Sequence, residues 1–200
     1  RMLLAEGRTG AVDTLLAEAS MVLGANNALA LEAAQLRVAL GQWGEAAIAW
    51  REAIGAQAYL ESAAIYSLRV APPEHRRAIR SVFLATPVAL PMRRVVATLE
   101  LGWGNGREGW AALRDLTPDE AVGAAWGQFA EEAERAGSWL AARDALLALQ
   151  RWRPDTQRAL RAATLALEGG DAASALSLAE YAAKELDDST AARTVTPVLL

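Results

Sequence analysis

Gly41-Gln42-Trp43-Gly44-Glu45-Ala46-Ala47-Ile48-Ala49-Trp50-Arg51-Glu52-Ala53-Ile54 reads as a tight turn that runs straight into an amphipathic helix. Within it the small Ala46 and Ala53 stand two helical turns apart, and the bulky Trp43 and Trp50 keep the same spacing. A helix with small residues two turns apart on one face can press its backbone close to a neighbour.

The same turn and helix return along the whole chain. Matching anchors stand at Gly7, Gly41, Pro73, Gly106, Gly137 and Gly170, separated by 34, 32, 33, 31 and 33 residues. Five residues after each anchor comes a small or apolar side chain: Val12, Ala46, Ala78, Ala111, Ala142 and Ala175. Seven further on the small position repeats at Ala19, Ala53, Ala85 and Ala182, with Leu149 as a bulky exception and Pro118 marking a helix that stops early. Each unit is therefore expected to pack on the next.

A helix-pair period in the thirties with this pattern resembles the tetratricopeptide repeat family. The resemblance is clearest from Gly123 to Pro154. There Trp126, Ala130 and Ala133 lie in an opening helix, Gly137 makes the turn, Ala142 and Leu146 follow in a second helix, and Pro154 closes the unit. It is strong around Gly41, Gly137 and Gly170, weaker around Gly7, and poorest around Pro73 and Gly106, where the array is expected to be irregular. The expected fold is all-α, a right-handed α-solenoid of about six antiparallel helix pairs over residues 1–187, followed by a tail or linker over 188–200. An ordinary helical bundle is the competing reading, and the even intervals weigh against it.

Composition fits an all-helical chain. Of 200 residues, 53% are hydrophobic and only 6% aromatic, which suits one helical unit with a substantial core. The absence of cysteine removes disulfides and thiolate metal sites. A net charge of −4 is too mild to point to nucleic acid or to an acidic substrate. Lys184 is the single lysine among the basic residues, an arginine bias typical of a GC-rich, bacterial coding sequence. The chain opens on Arg1, inside what reads as the tail of a helix, so it is expected to be a piece of a longer protein. No apolar run approaches the ~20 residues of a membrane span.

Periodicity predicts helices over 10–23, 28–40, 43–54, 56–70, 73–85, 91–101, 107–116, 118–136, 138–152, 155–168 and 171–186. Pro73, Pro91 and Pro118 stand at expected helix starts, where the missing amide proton costs nothing. Asp119, Glu120 and Asp155 place carboxylates in first turns, complementing the helix dipole.

Catalytic chemistry has little to draw on. The only histidine, His75, has no cysteine or second histidine to complete a metal set or a triad, and reads as a surface residue. Glu131 and Glu134 lie one turn apart, an arrangement ordinary for a solvated acidic face. Gly104-Asn105-Gly106-Arg107-Glu108-Gly109 matches the phosphate-loop spacing, and Val95–Leu99 passes locally as a strand before it. The repeat register nevertheless demands an interhelical turn there, and no second β-α-β pattern follows. Trp43, Trp50, Trp126 and Trp139 fall on inward faces, whereas Trp103 and Trp110 flank the glycine loop.

The resemblance implies that opening helices line a concave groove. Carried onto this sequence, that face is Leu31, Gln35 and Val38, then Leu60, Ala63 and Ser67, then Arg93, Val96, Glu100 and Trp103, then Glu131 and Glu134, and finally Leu160, Thr164 and Leu167. The lysine and asparagine set with which some family members grip a terminal carboxylate is missing. The implied ligand is thus a helix or extended segment of a protein partner, buried through apolar side chains. Six arginines between Arg69 and Arg94 and an acidic block from Asp115 to Glu134 offer steering of an acidic partner or self-association. The expectation is a non-enzymatic scaffold with no cofactor, metal, nucleic acid or small-molecule substrate. Two other classes stay open: a structural subunit built permanently into a complex, and a regulatory repeat domain of a larger enzyme.

Overall fold

The structure, a computed structural model, describes Gly10, Thr14, Glu18 and residues 29–195, with 186–195 as backbone alone. Gly7, Val12, Ala19 and the end of the tail from Thr196 lie outside the described residues. Among the described residues there are ten α-helices, a 3-10 turn at Ala58–Leu60 and no strand. The helices are α1 (Ala30–Ala39), α2 (Trp43–Ala56), α3 (Glu61–Leu68), α4 (Pro73–Phe83), α5 (Leu90–Gly102), α6 (Gly106–Ala111), α7 (Glu120–Arg135), α8 (Trp139–Trp152), α9 (Thr156–Glu168) and α10 (Ala172–Val195).

Most ends fall within a few residues of the sequence expectation, the helix over 91–101 included, and α6 and α10 differ from it. The run Val95–Leu99 lies inside α5 and is not a strand. Helix α6 stops after six residues instead of reaching Leu116. It dissolves into i→i−3 bonds from Ala112 to Gly109, Leu113 to Trp110 and Leu116 to Leu113, just ahead of Pro118. Helix α10 runs on to Val195, so residues 188–195 continue the helix beyond its expected end at 186.

The helices group into two compact units, Arg1–Leu99 and Glu100–Leu200. In the first, α1 packs on α2 and α2 packs on α4. In the second, α7 packs on α8, α8 on α9 and α9 on α10, and α6 also meets α8. Both cores rest on α-helical faces of alanine and large apolar residues: Ala46, Trp50 and Ile54 against Ile79 and Phe83 in the first unit, all buried. The second unit carries an aromatic cluster in which Trp110 meets Trp126 edge-on at 5.9 Å and Phe129 at 5.8 Å. Trp126 Nε1 donates to the Leu113 carbonyl at 3.0 Å, so the indole is buried with its polar atom satisfied.

One turn is used four times. Gly41, Gly104, Gly137 and Gly170 all take positive φ, from +70° to +84°, which a residue with a Cβ adopts only under strain. After each, the next amide reaches back five residues: Gln42 to Arg37 O, Asn105 to Glu100 O, Ser138 to Ala133 O and Asp171 to Ala166 O, at 2.7–2.9 Å. Those bonds satisfy carbonyls that a helix end leaves open. The turn glycine of the fourth expected unit is therefore Gly104 and not Gly106, and the small residue five positions on is the buried Gly109, not Ala111. With that correction Gly104, Gly137 and Gly170 stand 33 residues apart.

The unit around Pro73 departs from the rule. Its connection has no positive φ; Pro72 is extended at ψ 148° and Pro73 opens α4. Ala78 and Ala85, expected to pack, are exposed, and Ile79 and Phe83 carry the buried face. Arg51 of α2 holds the far end of α4, donating to the carbonyls of Val82 (3.1 Å), Ala85 (2.6 Å) and Pro87 (2.8 Å).

Candidate functional site

The residues expected to line a groove separate into three kinds. Leu31, Gln35 and Val38 share one face of α1, with Gln35 exposed and the other two half-buried. Leu60, Val96 and Glu100 are buried, which removes them from any solvent-facing set. Glu100 is fully enclosed, and its Oε2 accepts from Asn105 Nδ2 at 2.9 Å. Ala63, Ser67, Arg93 and Trp103 are half-buried. Trp110, expected beside a loose loop, is buried in the aromatic cluster.

In the second unit Glu134 is tied to a neighbouring helix. Glu131 is exposed on α7, and one turn on Glu134 accepts from Arg161 of α9, whose Nε lies at 2.9 Å. Thr164 and Leu167 continue that exposed face along α9 beside the half-buried Leu160. The pair Glu134–Arg161 ties two opening helices of successive units, with Glu131 one turn before Glu134 and Thr164 one turn after Arg161.

A second feature escaped the sequence reading. A cleft of about 580 Å³ opens where the α6 start, the α7–α8 turn and the α9–α10 turn lie side by side. Its walls include Arg107, Trp110, Trp139 and Leu140, with Arg143 and Asp144 at one edge. Glycines let the turns approach: a Cβ on Gly106 would stand 2.6 Å from Ser138 Oγ, and one on Gly169 would stand 2.5 Å from Leu140 Cδ2. Ser138 stands at the N-terminal end of α8 and Leu140 in its first turn, so the three chain segments nest. The sequence signal was present in Gly106 and Gly169, yet it was absorbed into the turn pattern.

At one edge of the cleft the charges pair with one another. Arg143 donates through Nε and Nη2 to Asp144 (2.9 and 2.7 Å) and through Nη1 to Asp171. Burial works against its charge, but the bonds and fields of Asp144 and Asp171 outweigh it and hold the guanidinium above its ordinary range. Asp171 is drawn below the usual carboxylate range, first by the side-chain and backbone bonds of Ser174 and then by Arg143. The Arg143 guanidinium is thus engaged by two carboxylates, while the exposed Arg107 lines the cleft beside the apolar Trp110, Trp139 and Leu140.

A shallower groove of about 330 Å³ in the first unit is lined by Ile48, Arg51, Glu52, Val82 and Met92. His75 sits half-buried near the start of α4. Among the described residues no three metal-donor side chains converge, and no helix is long and apolar enough to cross a membrane. Comparison of the chain with protein-family models, curated proteins and solved structures gives no match in any of the three.

Proposed function

We propose that this chain is a tetratricopeptide-like scaffold, a right-handed solenoid of helix pairs that binds a protein partner and carries out no chemistry of its own. The observation behind the reading is the turn that recurs at Gly104, Gly137 and Gly170 with one set of backbone bonds. A unit repeated at one spacing builds an extended surface from equivalent faces, and such surfaces recognise polypeptide segments. The proposed contact surface of the second unit is the face of Glu131, Thr164 and Leu167 around the Glu134–Arg161 pair. Its partner is a helix or extended segment with apolar anchors and at least one basic group opposite Glu131.

Affinity capture from the source cell tests this, using the full chain beside a Glu131→Arg/Thr164→Arg variant whose folding is checked by circular dichroism. The expected result is one protein retained by the chain and lost with the folded variant. Retention of the same proteins by both would overturn the assignment of this face.

A further inference from the structure

The nested turns of the second unit bring equivalent positions of two successive repeats around one space. Three and six residues after Gly104 stand Arg107 and Trp110, and at the same offsets after Gly137 stand Leu140 and Arg143; all four line the cleft. Its walls are already fixed by contacts of their own. Trp110 packs against Trp126 and Phe129, the Arg143 guanidinium is bonded to Asp144 and Asp171, and the backbones of Gly106 and Gly169 press on Ser138 and Leu140. Two polar groups of the cleft take no part in that scaffolding. Arg107 is exposed and has neither an ion pair nor a hydrogen bond among the described residues, and the half-buried Ser138 hydroxyl makes no capping bond to α8.

We propose that this cleft binds a small aromatic anion, a carboxylate or phosphate carried on a ring, with Arg107 holding the charged group and Trp110, Trp139 and Leu140 holding the ring. Its volume of about 580 Å³ and its make-up, apolar walls with few polar groups, are those of a preformed small-molecule pocket. A planar guanidinium forks onto two oxygens of a carboxylate or a phosphate. A cation finds no free partner here, because Asp144, the carboxylate of the lining, already accepts from Arg143 Nε and Nη2. An inorganic anion would engage Arg107 and leave the rings uncovered. The groove of the first unit lacks this combination, since its Arg51 is turned to the carbonyls of Val82, Ala85 and Pro87.

Isothermal titration calorimetry of the full chain with phenylacetate and with phenyl phosphate tests the proposal and separates the two anions. At least one is expected to bind with a Kd of about 1 mM or tighter. Benzyl alcohol, a ring without the charge, and inorganic phosphate, a charge without the ring, are expected to bind at least about tenfold more weakly. Arg107→Gln, folded by circular dichroism, should lose at least about tenfold in affinity for the aromatic anion, whereas Arg151→Gln, at an exposed position near the other end of α8, should keep it. Absence of binding by both aromatic anions, equal binding to the Arg107→Gln variant, or equal binding of either control would overturn it. So would equal binding of acetylglutamate amide, which would make an acidic side chain of a polypeptide the occupant.

Discussion

The turn at Gly137 and the connection at Pro72–Pro73 solve one problem in two ways. At Gly137 a positive φ of +71° ends α7, and Ser138 starts the next helix at once, leaving Ala142 with no exposure. At Pro72–Pro73 an extended residue and a ring-fixed φ start α4, and Ala78, the residue at the expected offset, points to solvent. Ile79 and Phe83 take over the packing face. One residue of phase is about 100° of rotation around a helix, enough to exchange the buried face for an exposed one. The exit from the preceding helix therefore decides which residue of the following helix is core.

The largest effect that breaks or sharpens this contrast is expected at Phe83. Phe83→Ala should cost about 3–5 kcal/mol, while Ala78→Leu should stay within about 0.5 kcal/mol of the wild type. Ala142→Leu, which overpacks a closed contact, should cost about 1–3 kcal/mol. Urea denaturation reads all three, and an Ala78→Leu penalty equal to that of Ala142→Leu would mean that α4 keeps the phase of α8.

The core tryptophans extend the comparison to the two units. Trp126 donates to Leu113 O, whereas the buried Trp50 indole N–H has no hydrogen-bond partner among the described residues. Trp126→Phe removes a bond and strands a carbonyl, a loss of about 1–3 kcal/mol; Trp50→Phe removes an unsatisfied donor along with some volume and should cost less. Equal shifts in thermal midpoint would show that both indoles are held alike.

A smaller difference is expected in the connections themselves. Gly137→Ala puts a Cβ on a left-handed residue at a cost of about 1 kcal/mol, measurable as a lowered unfolding midpoint. Pro72→Ala, in an extended conformation open to any residue, should change stability by a few tenths, chiefly through the unfolded chain. Smallest of all is the acid effect at the Gly170 turn. Asp171 is depressed in the folded state, so its contribution is present above the ordinary aspartate range near pH ~4 and fades as pH falls below it. Asp171→Asn should therefore lower stability slightly at neutral pH, with the difference from the wild type shrinking as pH falls, so that urea midpoints measured against pH show a flatter acid limb.

Helix positions were legible because their ends carry local chemistry. Asp119 accepts from Val122 N at 2.8 Å and Asp155 accepts from Gln157 N at 2.8 Å, and both aspartates stand out in the sequence as first-turn carboxylates. Of the three expected groove residues that are buried, Leu60, Val96 and Glu100, Val96 carried a signal in the sequence. Val95-Val96-Ala97 and Leu99 make α5 apolar on nearly every side, the mark of an enclosed helix, and Val96 is accordingly buried. No comparable signal marked Glu100; its burial depends on the Asn105 amide that the Gly104 turn brings back to it. The cleft was illegible for the same reason, since it forms between three turns that no single stretch contains.

By itself the sequence determined the helical class, most helix positions and the glycine turns at Gly41, Gly137 and Gly170, because helix propensity, capping and positive φ are properties of a few consecutive residues. Only the tertiary structure decided that Gly104 and not Gly106 closes a helix, that Ile79 and not Ala78 is core, and that Leu167 and Leu176 are exposed. Burial belongs to two packed elements at once, and a one-residue change of phase between them, invisible in either alone, turns a contact face toward water.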